Sequence, residues 1–116
     1  MKVIVHHREM TESGMFGNNK AVAVVDAPDD LTATEAMSYA FRWTNNVEGS
    51  WSKPETFRWM GEIIENGDYN ERVKFIAEAH PEGYGERSTS VGDLMYIGFD
   101  CYEVMPNGFR QIKEAA

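Results

Sequence analysis

The sequence predicts an α+β fold, in which one or two helices pack on one face of a small antiparallel sheet of four to six short strands with a C-terminal hairpin. Two β-rich runs, residues 94–97 and 100–105, flank a Gly-Phe pair and indicate that hairpin. A helix start signal at Thr32 indicates the helical layer. The chain has 116 residues, 42% of them hydrophobic, which is enough for one core, so residues 1–116 are expected to form a single domain.

The N-terminal part of the chain predicts two antiparallel strands. The β-branched run at residues 3–5 is too short for a helix, and His6 and His7 are expected to end this strand. A second β-rich run covers residues 20–25. The intervening residues 8–19 mix charged side chains with glycine and asparagine, which predicts a loop.

Two capping boxes predict two helices. Thr32 followed by Glu35 begins the first, and apolar positions recur after it at helical spacing. Met37 and Phe41 are therefore expected to be buried against the sheet. A second serine–glutamate capping box, with a proline in its first turn, predicts a helix over residues 52–65.

The remaining segments favour strands. Residues 72–79 fit both a helical and an alternating pattern, and we favour the strand. A Pro-Asn-Gly turn follows the C-terminal hairpin and leads into a last short strand at residues 109–112. The single cysteine, Cys101, lies in a strand-like run and is expected to be a buried structural thiol.

The charge of the chain narrows the classes of molecule that it is expected to bind. Eleven basic and nineteen acidic residues give a net charge of −8. This charge repels phosphate backbones, so we expect no binding to duplex DNA at physiological salt, and it favours a basic protein as partner. No apolar stretch approaches the roughly 18 residues of a membrane span, and no basic-then-apolar leader begins the chain. We therefore expect a soluble cytoplasmic protein with no membrane partner.

No motif carries recognisable catalytic or metal-binding chemistry. His6 and His7 are neighbours in a strand, so their rings should point to opposite faces and cannot easily share an ion. Ser88 and Ser90 lack the glycine-flanked elbow of a hydrolase nucleophile, and no phosphate-cradling glycine loop is present. The sequence predicts no catalytic residue, no metal site and no cofactor, and it favours a non-enzymatic protein over an enzyme with an unrecognised site.

The candidate binding site combines two polar loops, residues 84–93 and a loop bracketed by two tryptophans. Arg87 could grip a carboxylate or phosphate through two parallel hydrogen bonds. A working surface, if one exists, is predicted to be built from Arg87, Ser88, Thr89, Ser90 and Asp93, with Asn45, Asn46 and Trp51 nearby. Two interpretations stay open: the loops bind a partner, or they only stabilise each other, with Arg87 holding the carbonyls of the Asn45 and Asn46 loop.

A set of short motifs suggests relatives. They are Thr44-Asn45-Asn46, Trp51, the run from Arg87 to Asp93, Tyr102-Glu103-Val104 and Gly108-Phe109. In these motifs, over roughly half of the chain, the sequence resembles small proteins of unknown function encoded by phages and mobile elements. It is also similar to the YodL-like module of their polyvalent proteins.

The resemblance implies an accessory protein that acts on a host or phage macromolecule in the host cytoplasm and helps incoming DNA survive host defences. Together with the acidic charge, it favours a non-enzymatic protein that works by protein–protein interaction, for example by inhibiting a host defence or nucleic-acid-handling protein. The alternative is a small nucleic-acid or nucleotide-binding module that uses the loop from Arg87 to Asp93.

Overall fold

The computed structural model describes residues 1–10 and 16–112. The elements are β1 (Lys2–Met10), β2 (Phe16–Asp26), α1 (Ala33–Trp43), β3 (Thr56–Trp59), β4 (Glu62–Glu65), β5 (Val73–Phe75), β6 (Leu94–Ile97), β7 (Asp100–Met105) and β8 (Gly108–Ile112). Six strands form one antiparallel sheet in the order β5-β2-β1-β6-β7-β8, and β3 and β4 form a separate two-stranded sheet. The predicted α+β fold and its C-terminal hairpin are confirmed.

Strands β1 and β2 form a longer hairpin than the sequence predicts. Strand β1 does not end at His6 and His7, and His7 pairs with Lys20. The predicted loop over residues 8–19 is wrong where it overlaps the two strands, while residues 11–15 lie outside the described residues. Cross-strand pairing offsets the low strand propensity of these polar residues, and that pairing is not visible in either strand alone.

Helix α1 begins at the predicted capping box. The Glu35 N–H donates to Thr32 Oγ1 at 3.2 Å, and the Thr32 N–H donates to Glu35 Oε1 at 3.0 Å. Met37 is buried as predicted, at 1% exposure. The expected burial of Phe41 is wrong, since this ring is only half-buried. Two buried alanines and Met37 pack against the sheet, and Phe41 lies at the edge of this contact.

The predicted helix over residues 52–65 is wrong, because this segment contains the β3–β4 hairpin. Met60 and Gly61 form its two-residue turn with left-handed φ angles of 52° and 83°, as a type I′ turn requires. The Ser52 hydroxyl accepts the Glu86 N–H at 2.8 Å instead of capping a helix. The segment is also rich in aromatic and β-branched residues, which favour strands.

The strand interpretation of residues 72–79 is confirmed only over residues 73–75, which form β5. The other strand predictions are confirmed by β6, β7 and β8. The core lies between the sheet and α1, and valines of β1 and β2 with Met95 and Val104 contribute to it. Cys101 is buried at 5% exposure, as predicted. No helix in residues 1–10 and 16–112 is long and apolar enough to cross a membrane.

Candidate functional site

The structure brings the two polar loops of the sequence prediction into contact. The Thr89 N–H donates to the Thr44 carbonyl at 2.9 Å, just after the end of α1. The Asn46 N–H donates to Ser88 Oγ at 2.8 Å, and the Asn46 amide donates to the Glu86 carbonyl at 3.1 Å. The segment of residues 86–89 is therefore pinned along the loop that follows α1.

Two further predicted side chains, Trp51 and Asn45, differ in whether they take part in this contact. The Trp51 indole N–H donates to the Arg87 carbonyl at 2.8 Å. The Trp51 ring packs edge-on against Phe75, with the ring centroids 5.6 Å apart. The Asn45 side chain instead donates to the Phe41 carbonyl at the end of α1. Trp51 thus joins the predicted cluster as a buried anchor, whereas Asn45 serves the helix end.

The guanidinium of Arg87 is held by Asp93 and Arg8, so the expected contact of Arg87 with the carbonyls of the Asn45 and Asn46 loop is wrong. The guanidinium makes two hydrogen bonds to the Asp93 carboxylate, at 2.7 and 2.8 Å, and a third to the Arg8 carbonyl at 3.0 Å. A carboxylate six residues along the chain offers a charged, bidentate partner that neutral carbonyls cannot match. The hydrogen bonds to Asp93 raise the pKa of Arg87 above its ordinary value.

Asp93 collects donors from two segments of the chain, β1 and the loop before β6. Besides Arg87, the backbone N–H groups of Arg8 and Ser90 each donate to its carboxylate at 2.9 Å. Burial raises the pKa of Asp93, but the Arg87 bond and the two backbone bonds outweigh it, so the pKa lies below its ordinary 3.8. Asp93 therefore ties β1 to the loop before β6 as an ionised carboxylate.

His7 is a residue of this cluster that the sequence interpretation missed. Its ring is 1% exposed, with Nδ1 3.2 Å from Glu86 Oε1 and Nε2 2.9 Å from Thr89 Oγ1. Burial and the Arg87 charge lower the pKa of His7 below 6.5, against the opposing effect of Asp93 and Glu86. The His7 imidazole thus links β1 to a segment about 80 residues away along the chain.

Glu86, His7 and Thr89 have the connectivity of a carboxylate–imidazole–hydroxyl triad, but not its accessibility. Thr89 is 1% exposed, so a substrate cannot reach its hydroxyl in this conformation. The Thr89 hydroxyl also donates to Thr44 Oγ1 at 2.8 Å, which directs its proton away from the imidazole. A triad needs an open nucleophile whose proton passes to the histidine, so these contacts connect β1 to α1 rather than perform hydrolysis.

A second buried carboxylate, Asp68, organises the loop after α1. Asp68 is 0% exposed, and its Oδ2 accepts the backbone N–H groups of Val47, Glu48 and Gly49 at 2.8, 3.0 and 2.7 Å. Its Oδ1 accepts from Arg42 at 3.3 Å. Three convergent amides and one guanidinium compensate the buried charge, so the carboxylate acts as the centre around which this loop folds.

Asn66 completes the support of the same loop. Its Oδ1 accepts the N–H groups of Ser50 and Asp68 at 3.0 and 3.1 Å. Its amide donates to the carbonyls of Ser50, Lys53 and Pro54 at 2.6, 3.1 and 3.0 Å. The buried Asn66 side chain thus hydrogen-bonds to five backbone groups on the two sides of the β3–β4 hairpin.

Burial divides the predicted site residues. Thr89, Asp93 and Trp51 are 1%, 2% and 3% exposed, so their side chains are not open to a ligand. Ser88 and Asn45 are half-buried, and the exposed members are Arg87, Ser90 and Asn46. The geometry therefore describes a hydrogen-bonded junction, and a binding role for its exposed members stays a prediction.

The two adjacent histidines lie on opposite sides of β1. His6 Nδ1 is 2.9 Å from Asn19 Oδ1, and its ring lies beside Tyr96, whereas His7 points into the buried network. Among the described residues, no group of three or more His, Cys, Asp or Glu side chains could hold a metal ion.

The other prominent surface is the exposed apolar part of the β3–β4 hairpin, which we call the hairpin surface: Trp59, Met60 and Ile63. These side chains are 48%, 90% and 69% exposed. The Trp59 ring lies beside that of Tyr84, with the ring centroids 6.5 Å apart. The sequence interpretation missed this surface because it predicted a helix over residues 52–65.

No family model, curated protein or solved structure matches this chain. The likeness to mobile-element proteins therefore stays a prediction, and the surfaces of this protein are assigned from their own contacts.

Acid is expected to destabilise the protein in two separate pH ranges. The unfolded His7 takes up a proton near its ordinary pKa of 6.5, but the folded His7 does so only at lower pH. The unfolded state therefore binds more protons in this interval, and the free energy of unfolding falls as the pH falls below 6.5. Asp93 adds a further loss below its ordinary pKa of 3.8, as its folded form becomes protonated.

Denaturant unfolding at a series of pH values measures both losses. His7→Gln should flatten the dependence between pH 6.5 and the onset of the Asp93 step. His6→Gln is the matched control, since His6 lies on the opposite side of β1, and it should keep the wild-type slope. Equal slopes for His7→Gln and the wild type would show that His7 does not carry this effect.

Proposed function

We propose that this chain is a non-enzymatic interaction protein that docks onto a basic protein partner through the hairpin surface. The observation that carries the proposal is the exposure of Trp59, Met60 and Ile63 on a two-stranded sheet that stands apart from the main sheet. Aromatic residues and methionine are enriched where proteins meet, and tryptophan most often dominates the binding energy.

Met60 supports the proposal because neither folding nor turn geometry explains a methionine at this position. Its φ of 52° is a left-handed conformation in which glycine or asparagine is preferred. Its side chain is 90% exposed and so contributes little to the core. A strained, exposed apolar residue at the tip of a hairpin is what a contact residue for a partner would look like.

The open edges of the β3–β4 hairpin favour the same conclusion. Within the described residues, β3 and β4 pair only with each other, so both outer edges carry unpaired backbone groups. An isolated two-stranded hairpin is marginally stable in water, and a partner strand added to one edge would satisfy those groups.

Charge decides between the possible occupants of the hairpin surface. Glu55, Glu62 and Glu65 accompany the single basic residue Arg58 along the hairpin, and the whole chain carries −8. A second copy of the chain would bring the same negative charge to the contact, which opposes self-association. A partner with an apolar patch rimmed by lysine and arginine is complementary in both respects.

Nucleic-acid-handling proteins of a host cell carry basic surfaces of this kind. The resemblance to phage and mobile-element proteins supports a role as an accessory protein that blocks such a host defence or nucleic-acid-handling protein in the host cytoplasm. The net charge of −8 also supports the expectation that the chain itself does not bind duplex DNA at physiological salt.

The test compares two substitutions in the hairpin surface with one in another exposed turn. Proteins captured from host cells by the wild type are purified, and their direct affinities are measured by calorimetry for Met60→Asp, Ile63→Asp and Phe99→Asp. We expect a basic partner whose binding weakens at least about tenfold with the first two substitutions, as truncation of central contact residues does. Phe99 is 101% exposed in the β6–β7 turn and is the matched control, which should stay within about twofold.

Three outcomes would contradict the proposal. The first is a set of captured proteins that does not change with Met60→Asp or Ile63→Asp. The second is equal weakening by Phe99→Asp, which would mean that exposed apolar residues act without regard to position. The third is a concentration-dependent dimer in analytical ultracentrifugation that Met60→Asp abolishes, which would make a second copy the occupant.

A further inference from the structure

A cleft of about 620 Å³ opens beside the loop of residues 84–93. Its walls come from β2, from the segment before β3, and from the chain between β5 and Arg87. This volume lies within the range of about 300 to 1,000 Å³ that is usual for small-molecule sites. The proposed function does not use this cleft, and its chemistry differs from that of the hairpin surface.

The first distinctive property of the cleft is its supply of hydrogen-bond donors. The Lys53 ammonium has three N–H groups, and its described partner is the Gly83 carbonyl, with no carboxylate partner among the described residues. The Ser52 hydroxyl accepts the Glu86 N–H, which leaves its own proton available. Lys20 Nζ lies 3.5 Å from Glu86 Oε2, and the Lys20 side chain is half-exposed.

Two aromatic rings in the cleft add further donors. The Glu82 N–H donates to His80 Nδ1 at 3.1 Å, so the proton of a neutral His80 ring sits on Nε2, where it can be donated. Tyr84 is 54% exposed, its ring lies 5.2 Å from that of His80, and no hydrogen bond of its hydroxyl is described. The Tyr84 ring, which also has Trp59 as a neighbour, therefore offers an exposed aromatic surface and a hydroxyl.

Acceptors in the cleft are few. Of its two carboxylates, Glu86 is already held by His7 and Lys20, which leaves Glu78. Of the three cationic side chains that line the cleft, Arg87 is held by Asp93 and Lys20 is paired with Glu86, so Lys53 is the one without a described carboxylate partner. A ligand suited to this set of donors supplies acceptors and negative charge.

We infer that this cleft binds a nucleoside phosphate. The phosphate oxygens, which are acceptors only, would take the Lys53 and Lys20 ammonium groups and the Ser52 hydroxyl, and the base would stack on Tyr84. A long nucleic acid is disfavoured, because the net charge of −8 would oppose a polyanion that extends past the cleft. A mononucleotide brings its few charges only to the Lys53 and Lys20 ammonium groups.

Calorimetry of the purified full chain with AMP and ATP tests the inference without any protein partner. We expect saturable binding of at least one nucleotide with a Kd below about 1 mM. Lys53→Ala should weaken it roughly tenfold through loss of a charged hydrogen bond. Tyr84→Ala should weaken it by about fivefold or more through loss of base stacking, while Tyr84→Phe should retain the stacking.

Matched controls and ligand fragments separate the outcomes. Lys74→Ala and Tyr69→Ala remove exposed residues of the same types from outside the cleft and should stay within about twofold of the wild type. Adenosine alone and inorganic phosphate alone should each bind more weakly than AMP. Inorganic phosphate that binds as well as AMP would overturn the nucleoside part of the inference, and no saturation by either nucleotide at about 1 mM would overturn it altogether. Wild-type melting temperatures for the variants would show that these outcomes report on binding.

Discussion

Replacing Asp68 with alanine is expected to lower the free energy of unfolding by about 3 to 5 kcal/mol, as the loss of one partner of a buried charge pair does. The reason is the number of groups that this carboxylate satisfies. Three backbone N–H groups, those of Val47, Glu48 and Gly49, would lose their acceptor, and Arg42 would lose its ion-pair partner. Amides without acceptors pull water into the loop, so the loop after α1 should lose its fixed structure.

Chemical denaturation measures this loss against two comparison variants. Asp68→Asn keeps one oxygen at the centre of the three amides but removes the charge, so its loss should be smaller, about 1 to 3 kcal/mol. Asp30→Ala removes an exposed carboxylate and should change the free energy of unfolding by less than about 0.5 kcal/mol. A loss for Asp68→Ala no larger than that for Asp30→Ala would show that the loop holds its shape without the carboxylate.

The second large effect is expected at Arg87. Arg87→Ala should lower the free energy of unfolding by about 2 to 3 kcal/mol, below the range of a fully buried pair because the guanidinium is partly exposed. The substitution leaves the Asp93 carboxylate, which is 3% exposed, without its two charged hydrogen bonds. It also removes the donor to the Arg8 carbonyl, so the tie between β1 and the loop before β6 should loosen.

A double-mutant cycle isolates the Arg87–Asp93 pair. If the two side chains act through each other, Arg87→Ala should cost much less in the Asp93→Ala background than in the wild type. Arg110→Ala is the matched control, because Arg110 pairs with Glu103 at 2.6 Å but is 64% exposed, so its loss should stay below about 1 kcal/mol. A cost for Arg87→Ala in the range of the Arg110 control would contradict the structural role.

This cycle also bears on the two interpretations of the loops that the sequence left open. If Arg87 is structural, Arg87→Ala should lower stability, and any loss of partner binding should then follow unfolding. If Arg87 is functional, Arg87→Ala should weaken partner binding with little change in melting temperature. The geometry favours the first outcome, since the guanidinium is engaged by Asp93 and Arg8.

Features with local causes could be predicted from the sequence. The capping box at Thr32 and Glu35 uses residues three apart, so its hydrogen bonds need nothing from the rest of the chain. The hairpin of β6 and β7 follows from two β-rich runs around a glycine with φ of 59°. The antiparallel pairing of β1 with β2 was predictable for the same reason, although the lengths of these strands were not.

The segment over residues 52–65 shows where a local signal fails. Its serine–glutamate spacing is that of a capping box, but the Ser52 hydroxyl is taken by Glu86, 34 residues along the chain. Asn66, which follows the hairpin, bonds back to residues before it and so closes the segment as a hairpin. Tertiary hydrogen bonds thus overrode a helix propensity worth only tenths of a kcal/mol per residue, by the order of magnitude of helix scales.

The sequence by itself determined the fold class, the position of α1, the C-terminal strands, and the two loops that were predicted to meet. Only the tertiary structure decided which of their side chains are buried, and that the buried His7 and Asp68 side chains hold these loops through hydrogen bonds. It also decided that the exposed apolar residues belong to a hairpin. The physical reason is sequence separation. His7 and Thr89 lie 82 residues apart, and Arg8 and Asp93 lie 85 apart, so their energies depend on sheet pairings that no local pattern encodes.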